Sequence, residues 1–125
     1  MITLDKKKTI AVIGASNNVD KYGYRIVRTL LDRGFKVWPI NPKETKICGV
    51  RAYARLADLP RRPDIINFVV PPNITLSILE EVKELGWDNL WFQPGSFDEL
   101  VIARVKELPV NYSHDDCIMV ASAVA

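Results

Sequence analysis

An apolar run that stops at a glycine, turns through small residues and restarts as an amphipathic helix leaves few folds open to a chain. Residues 9–23, TIAVIGASNNVDKYG, followed directly by the helical run 24–34, have that form. Thr9-Ile10-Ala11-Val12-Ile13 is a nearly continuous apolar run, as expected of a strand covered on both faces. Gly14-Ala15-Ser16-Asn17-Asn18 then supplies a turn of small and Asx residues, and Ile26, Val27, Leu30 and Leu31 recur at helical spacing. Strand, turn and helix start together suit an anion. The small residues let the backbone approach it, and the unpaired N–H groups of the helix start carry the positive end of the dipole. The spacing departs from the dinucleotide fingerprint: Gly14 is followed by Ala15 and Ser16 instead of further glycines, and the next glycine is Gly23, nine residues on. A pyrophosphate fits such a turn, whereas a nicotinamide cofactor is poorly supported. The same turn also occurs as plain fold chemistry, and at this point both readings stand.

The rest of the chain alternates. Gly34 ends the first helix, and residues 35–40, FKVWPI, read as a second strand broken by Asn41-Pro42. Residues 43–49 read as a polar loop, and residues 50–60 as an irregular segment with a brief helix over 54–59. Residues 65–70 form a third strand, stopped by Pro71-Pro72. Asn73 is placed as the N-cap of a strong helix whose core stripe is Ile74, Ile78, Leu79, Val82 and Leu85 and which ends at Gly86. Residues 90–92 make a short fourth strand, Pro94-Gly95-Ser96 a turn, 97–108 a last long helix and 109–112 a fifth strand, with a short tail after Asp116. Strands alternating with helices predict an α/β fold in three layers, a doubly wound, mainly parallel five-stranded sheet with helices on both faces.

A length of 125 residues with 48% hydrophobic content fits one compact domain with a real core. The net charge of +2 is too small to mark a nucleic-acid surface, and Lys6-Lys7-Lys8 reads as a solvated flank ahead of the first strand. No apolar run approaches the ~20 residues of a membrane span and no charged-then-apolar leader opens the chain, so a cytoplasmic protein is expected. Cys48 and Cys117, with no Cys-x-x-Cys pair and a single histidine, give neither a zinc site nor a disulfide framework.

In sheets of this kind ligands bind outside the carboxyl ends of the strands, so the residues just past each strand carry the information. A nicotinamide dinucleotide site places an acidic side chain after the second strand to bond the ribose hydroxyls, and this chain has Asn41-Pro42-Lys43 there. A cation suits a phosphorylated ribose, with Lys43 as a compact point charge. A plain surface lysine, in a loop that also holds Glu44 and Lys46, is an equal reading. Val70-Pro71-Pro72 makes a rigid apolar ledge with few backbone donors, on which a flat base can lie; it serves as well simply to stop the strand and start the helix.

These residues carry a resemblance. The run AVIGASNNVDKYGYRIVRTLLDRGFKVWPINPK, then INFVVPPNITLSILEEVKELG, then LWFQPGSFDE resembles the small single-domain coenzyme A-binding proteins, themselves similar to the N-terminal coenzyme A-binding domain of the succinyl-coenzyme A synthetase α subunit. It extends from about residue 8 to about residue 117, with its pieces in family order. The resemblance implies a Rossmann-like fold and coenzyme A or an acyl-coenzyme A as the ligand. It further implies that Gly14, Ala15 and Ser16 contact the pyrophosphate, with Lys21 and Tyr22 flanking it. Asn41, Pro42 and Lys43 then take the ribose phosphate side, Val70, Pro71 and Pro72 hold adenine, and Gln93 and Gly95 lie near the pantetheine path. The synthetase also relies on a phosphorylated histidine in a second domain and on a partner subunit, and this chain ends before any such domain.

Binding without a legible catalytic set is therefore the expectation. His114, in Ser113-His114-Asp115-Asp116, reads as a solvent-facing turn histidine more readily than as a base. Cys117 has two readings: a thiol on the ligand rim close to the end of the fifth strand, or the start of an apolar tail, Cys117-Ile118-Met119-Val120, packed on the core. Two other classes stay open, an NAD(P)-dependent enzyme on the same fold and a protein-interaction module with a degenerate pocket.

Overall fold

In the computed structural model, which describes residues 2–125, strand β1 (Thr9–Ile13) leads into helix α1 (Tyr22–Asp32) and strand β2 (Lys36–Ile40). A hairpin of β3 (Lys46–Ile47) and β4 (Val50–Arg51) and a 3-10 turn (Leu56–Asp58) precede β5 (Ile65–Phe68). Helix α2 (Pro72–Leu85), β6 (Leu90–Phe92), α3 (Glu99–Lys106), β7 (Tyr112–Ser113), the short helix α4 (Ile118–Ala121) and a second 3-10 turn (Ser122–Val124) follow. The main sheet runs β2-β1-β5-β6-β7, and every pairing in it is parallel. From β1 the chain moves outward to β2, then returns across β1 to β5 and continues in the opposite direction. The carboxyl ends of β1 and β5 therefore flank the point where the strand order reverses, the place where such sheets open a crevice.

The sheet is covered on both faces. All five residues of β1 are buried, and the period of two sends them alternately into two cores. Ala11 and Ile13 pack with Ile66 and Phe68 of β5, Leu79 and Val82 of α2, and Val101 and Val105 of α3. Ile10 and Val12 pack on the other face with Ile26, Val27 and Leu30 of α1 and with Ile118 of α4. This is why β1 reads as an apolar run without alternation, and it gives the three-layer, doubly wound α/β fold that the pattern predicts.

Several elements differ from expectation. The stretch 43–49, expected as loop, contributes β3 to the hairpin. Cys48 and Gly49 both take positive φ, 51° and 81°, the primed two-residue turn that twists with its strands. Cys-Gly is an unusual pair for that turn, so the sequence carries no hairpin signal. Asn73 is not the N-cap of α2: Pro71 is, in extended conformation, and Pro72 occupies the first turn. A proline there gives up an N–H that has no intrahelical partner and brings a preset φ. Helix α3 starts at Glu99, where Asp98 caps it by accepting from the Val101 N–H at 3.0 Å. The fifth strand of the sheet is Tyr112–Ser113 instead of 109–112, registered on Leu90 and Trp91, and the tail after Asp116 contains the short helix α4.

Candidate functional site

The turn after β1 is built around two glycines in contact. Gly14 has φ +96°, and a Cβ there would lie 2.8 Å from the Val69 carbonyl oxygen and 2.9 Å from Val70 Cγ1. A side chain would collide with the chain leaving β5, so only glycine lets these two strand ends approach. Gly23, in the first turn of α1, is pressed against the same loop: a Cβ on it would stand 1.9 Å from the Gly14 carbonyl oxygen. The glycine that packs helix against strand in dinucleotide folds thus has its counterpart nine residues on, after a longer turn. That turn is fastened by side chains. Ser16 Oγ accepts from the Asn18 N–H at 2.9 Å, Asn18 Oδ1 accepts from the Asp20 N–H at 3.0 Å, and Asn17 Nδ2 donates to the Lys46 carbonyl at 2.8 Å and to Glu44 at 2.9 Å. The backbone N–H groups of Ala15 and Ser16 have no partner among the described residues.

Two cavities open beside this turn and share Val70 as a wall. The one on the β2 side, about 370 Å³, is bounded by Gly14, Asn41, Pro42, Arg55, Ile74 and Glu81, among others. Asn41 joins its parts: Nδ2 donates to the Ala15 carbonyl at 2.9 Å and Oδ1 accepts from the Lys43 N–H at 2.8 Å. Its amide thereby holds the end of β2 to the turn after β1. Ile74, a member of the expected core stripe of α2, is 41% exposed, and Ile78 is half-buried beside it in the same wall. The stripe is amphipathic as the pattern says, but Ile74 faces the crevice and Ile78 is shared between crevice and core, while Leu79 and Val82 are fully buried.

The second cavity, about 420 Å³, lies on the β6 side and is bounded by Tyr22, Val69, Pro71, Gln93, Gly95 and Cys117, among others. Gln93-Pro94-Gly95-Ser96 is a tight turn with Ser96 N donating to the Gln93 carbonyl at 2.9 Å and Gly95 at φ +90°, the form that asks for Pro and then Gly at its centre. The Gln93 side chain is buried and ties in the carboxyl-terminal segment: Oε1 accepts from the Ile118 N–H at 2.8 Å and Nε2 donates to Cys117 Sγ at 3.1 Å. Both readings of Cys117 thus hold in part, since its thiol is in the cavity wall while the next residue, Ile118, is fully buried.

Gly14, Asn41, Pro42 and Val70 come together around the first cavity, and Tyr22, Val70, Pro71, Gln93 and Gly95 around the second. Ala15 and Ser16 follow Gly14 in the turn and line neither cavity. Lys21 precedes α1 as its N-cap and is exposed, Lys43 is exposed, and Pro72 starts α2; these three line neither cavity. His114 lines neither cavity, its ring packed at 5.1 Å from Phe97 and stacked at 6.0 Å on Tyr112. Arg55, Ile74, Ile78 and Glu81 were not legible as site residues. The helical period of α2 was the one available signal, and it points to a core face. Among the described residues no helix is long and apolar enough to cross a membrane.

The chain is similar to known proteins in sequence and in fold. Residues 8–123 match the family described as the CoA binding domain. The chain is 32% identical over 110 residues to an ADP-forming acetate–CoA ligase of Methanocaldococcus jannaschii, covering 85% of this chain and 16% of the ligase, so it spans only a small part of that relative's length. It is 30% identical over 121 residues to the protein YneT of Bacillus subtilis, covering 97% of this chain and 90% of that one. Among solved structures, a conserved hypothetical protein from Pyrococcus furiosus superposes with a TM-score of 0.87 at 42% identity, over 90% of this chain and 97% of that chain.

Proposed function

This chain belongs to the CoA binding domain family, and from that premise we propose that it binds coenzyme A or an acyl-coenzyme A across the crevice between β1 and β5. The observation that carries the reading is the pair of cavities meeting at Val70, with Gly14 in the wall of the first and packed against Val69 and Val70. Coenzyme A has the same three parts in the same order: a phosphorylated nucleoside, a pyrophosphate and a long thin arm. In this reading the free N–H groups of Ala15 and Ser16 face the pyrophosphate. Lys21 and Tyr22 flank it, and Asn41, Pro42 and Lys43 border the ribose phosphate. Adenine rests against Val70 at the Pro71-Pro72 ledge, and the pantetheine arm runs past Gln93 and Gly95. The function proposed is binding, in the cytoplasm, without a catalytic group of the chain's own and without nucleic acid or membrane as a partner.

Differential stabilisation tests this. A ligand that binds only the folded state at a hundredfold excess over its Kd adds about 2.7 kcal/mol, roughly a 10 °C rise in Tm for a domain of this size. Coenzyme A is expected to give a rise of that order and NAD or NADP much less, because the turn after Gly14 lacks the further glycines of the dinucleotide fingerprint and, for NAD, Glu44, the nearest carboxylate after β2, is engaged by Asn17 at 2.9 Å. Equal shifts with NADP and coenzyme A would remove the preference. No shift with any nucleotide, together with a stable protein partner in pull-downs, would make the fold an interaction module instead.

A further inference from the structure

The chain has eight arginines, and seven of them are engaged. Arg28, Arg62 and Arg104 pair with carboxylates. Arg33 donates to Ser122 Oγ at 2.7 Å and to the Met119 carbonyl. Arg25, Arg51 and Arg61 lie over the rings of Tyr22, Tyr53 and Trp38 at 5.0–5.9 Å. The Arg55 guanidinium alone has neither an ion pair, a hydrogen bond nor a ring among the described residues, and of the arginines it alone lines either of the two cavities beside the β1 turn. An unengaged guanidinium is the planar fork that takes a phosphate by two parallel hydrogen bonds.

Its position is fixed by backbone. Tyr53 bridges in parallel to Ile40, with the Tyr53 N–H donating to the Pro39 carbonyl and the Asn41 N–H to the Tyr53 carbonyl, each at 2.9 Å. The chain leaving that bridge brings Arg55, in extended conformation before the 3-10 turn, beside Asn41 and Pro42 at the end of β2. In the same lining α2 presents Glu81, which has no ion-pair partner among the described residues either. The lining therefore holds one unpaired cation and one unpaired carboxylate, and of the two a phosphate is attracted by Arg55 and repelled by Glu81.

We propose that Arg55 is the residue that distinguishes coenzyme A from dephospho-coenzyme A, by pairing with the phosphate on the ribose while Lys43 remains an outer charge. The assignment rests on the coenzyme A reading of the site and sharpens it to one specificity contact. Calorimetric titration of the intact protein with both ligands tests it. Wild type is expected to bind coenzyme A at least tenfold more tightly than dephospho-coenzyme A. Arg55→Ala should remove most of that ratio by weakening coenzyme A alone, leaving dephospho-coenzyme A within about twofold of its wild-type affinity. Retained dephospho-coenzyme A binding also certifies that the variant is folded. Arg55→Lys should restore part of the ratio, since the charge returns without the fork. An unchanged ratio in Arg55→Ala, or an equal loss for both ligands, overturns the assignment. Wild type that binds neither ligand removes the coenzyme A reading itself and this contact with it, whereas wild type that binds both with Arg55 indifferent leaves that reading standing.

Discussion

A methyl group added to Gly23 would stand 1.9 Å from the Gly14 carbonyl oxygen, a backbone atom that cannot swing aside. In an open helix interior Gly→Ala is worth about 1 kcal/mol in favour of alanine; here the sign reverses. Gly23→Ala should destabilise the fold by about 1–3 kcal/mol, the cost of forcing extra volume into a packed contact. Because the displaced atom belongs to the turn beside both cavities, it should weaken coenzyme A binding as well. Urea unfolding checks the first part and titration the second. A variant more stable than wild type would mean that α1 and the turn separate freely.

On the scale of elements, α2 and α3 are joined at the surface by Arg104, whose Nε and Nη2 each donate to a carboxylate oxygen of Glu80 at 2.8 Å. The hydrogen bond from the Arg104 guanidinium, aided by its charge and that of Lys83, holds the Glu80 carboxyl below its usual range against a smaller opposing effect of desolvation. A carboxyl lowered in the folded state contributes stability above its unfolded pKa of about 4.3, and that contribution disappears as pH falls through the lower folded value. Wild type should therefore melt above Glu80→Gln at neutral pH, and the gap should close as the solution is taken below about pH 4. It should also narrow in high salt, since the pair is exposed to solvent. A gap that ignores both pH and salt would show that the bidentate contact acts by shape instead of charge.

For the molecule as a whole, the consequence of two cavities sharing Val70 is that one ligand can engage both sides of the β1–β5 crevice at once. Linking two binding events converts the second into an intramolecular one, worth about 10²–10⁴ in affinity when the geometry permits both. Adenosine 3′,5′-bisphosphate and pantetheine should each bind weakly, and intact coenzyme A should bind at least about a hundredfold more tightly than the better fragment. The two fragments should also occupy the protein together without competing. Mutual exclusion, or a fragment as tight as coenzyme A, would mean that a single cavity carries the binding.

What the sequence determined by itself was whatever depends on near neighbours in the chain. The apolar run of β1, the period of α1, the breaks at Gly34, Asn41-Pro42 and Pro71-Pro72, and the alternation of strand and helix all express local conformational preference and burial on one face or both. Together they led to the parallel three-layer sheet and to the rim at its strand ends. The family resemblance rested on those same stretches. Tertiary structure decided what depends on residues brought together from a distance. That Gly23 must be glycine is set by Gly14. That Asn41 is engaged in holding the turn is set by the Ala15 carbonyl. That Ile74 borders a cavity instead of filling the core, and that Ile78 does both, is set by where α2 crosses the end of β5. Arg55 lies in a stretch with no motif, and it reaches the cavity only because Tyr53 bridges to Ile40, thirteen residues earlier. Periodicity specifies which face of an element is apolar; only the packed fold specifies what that face meets.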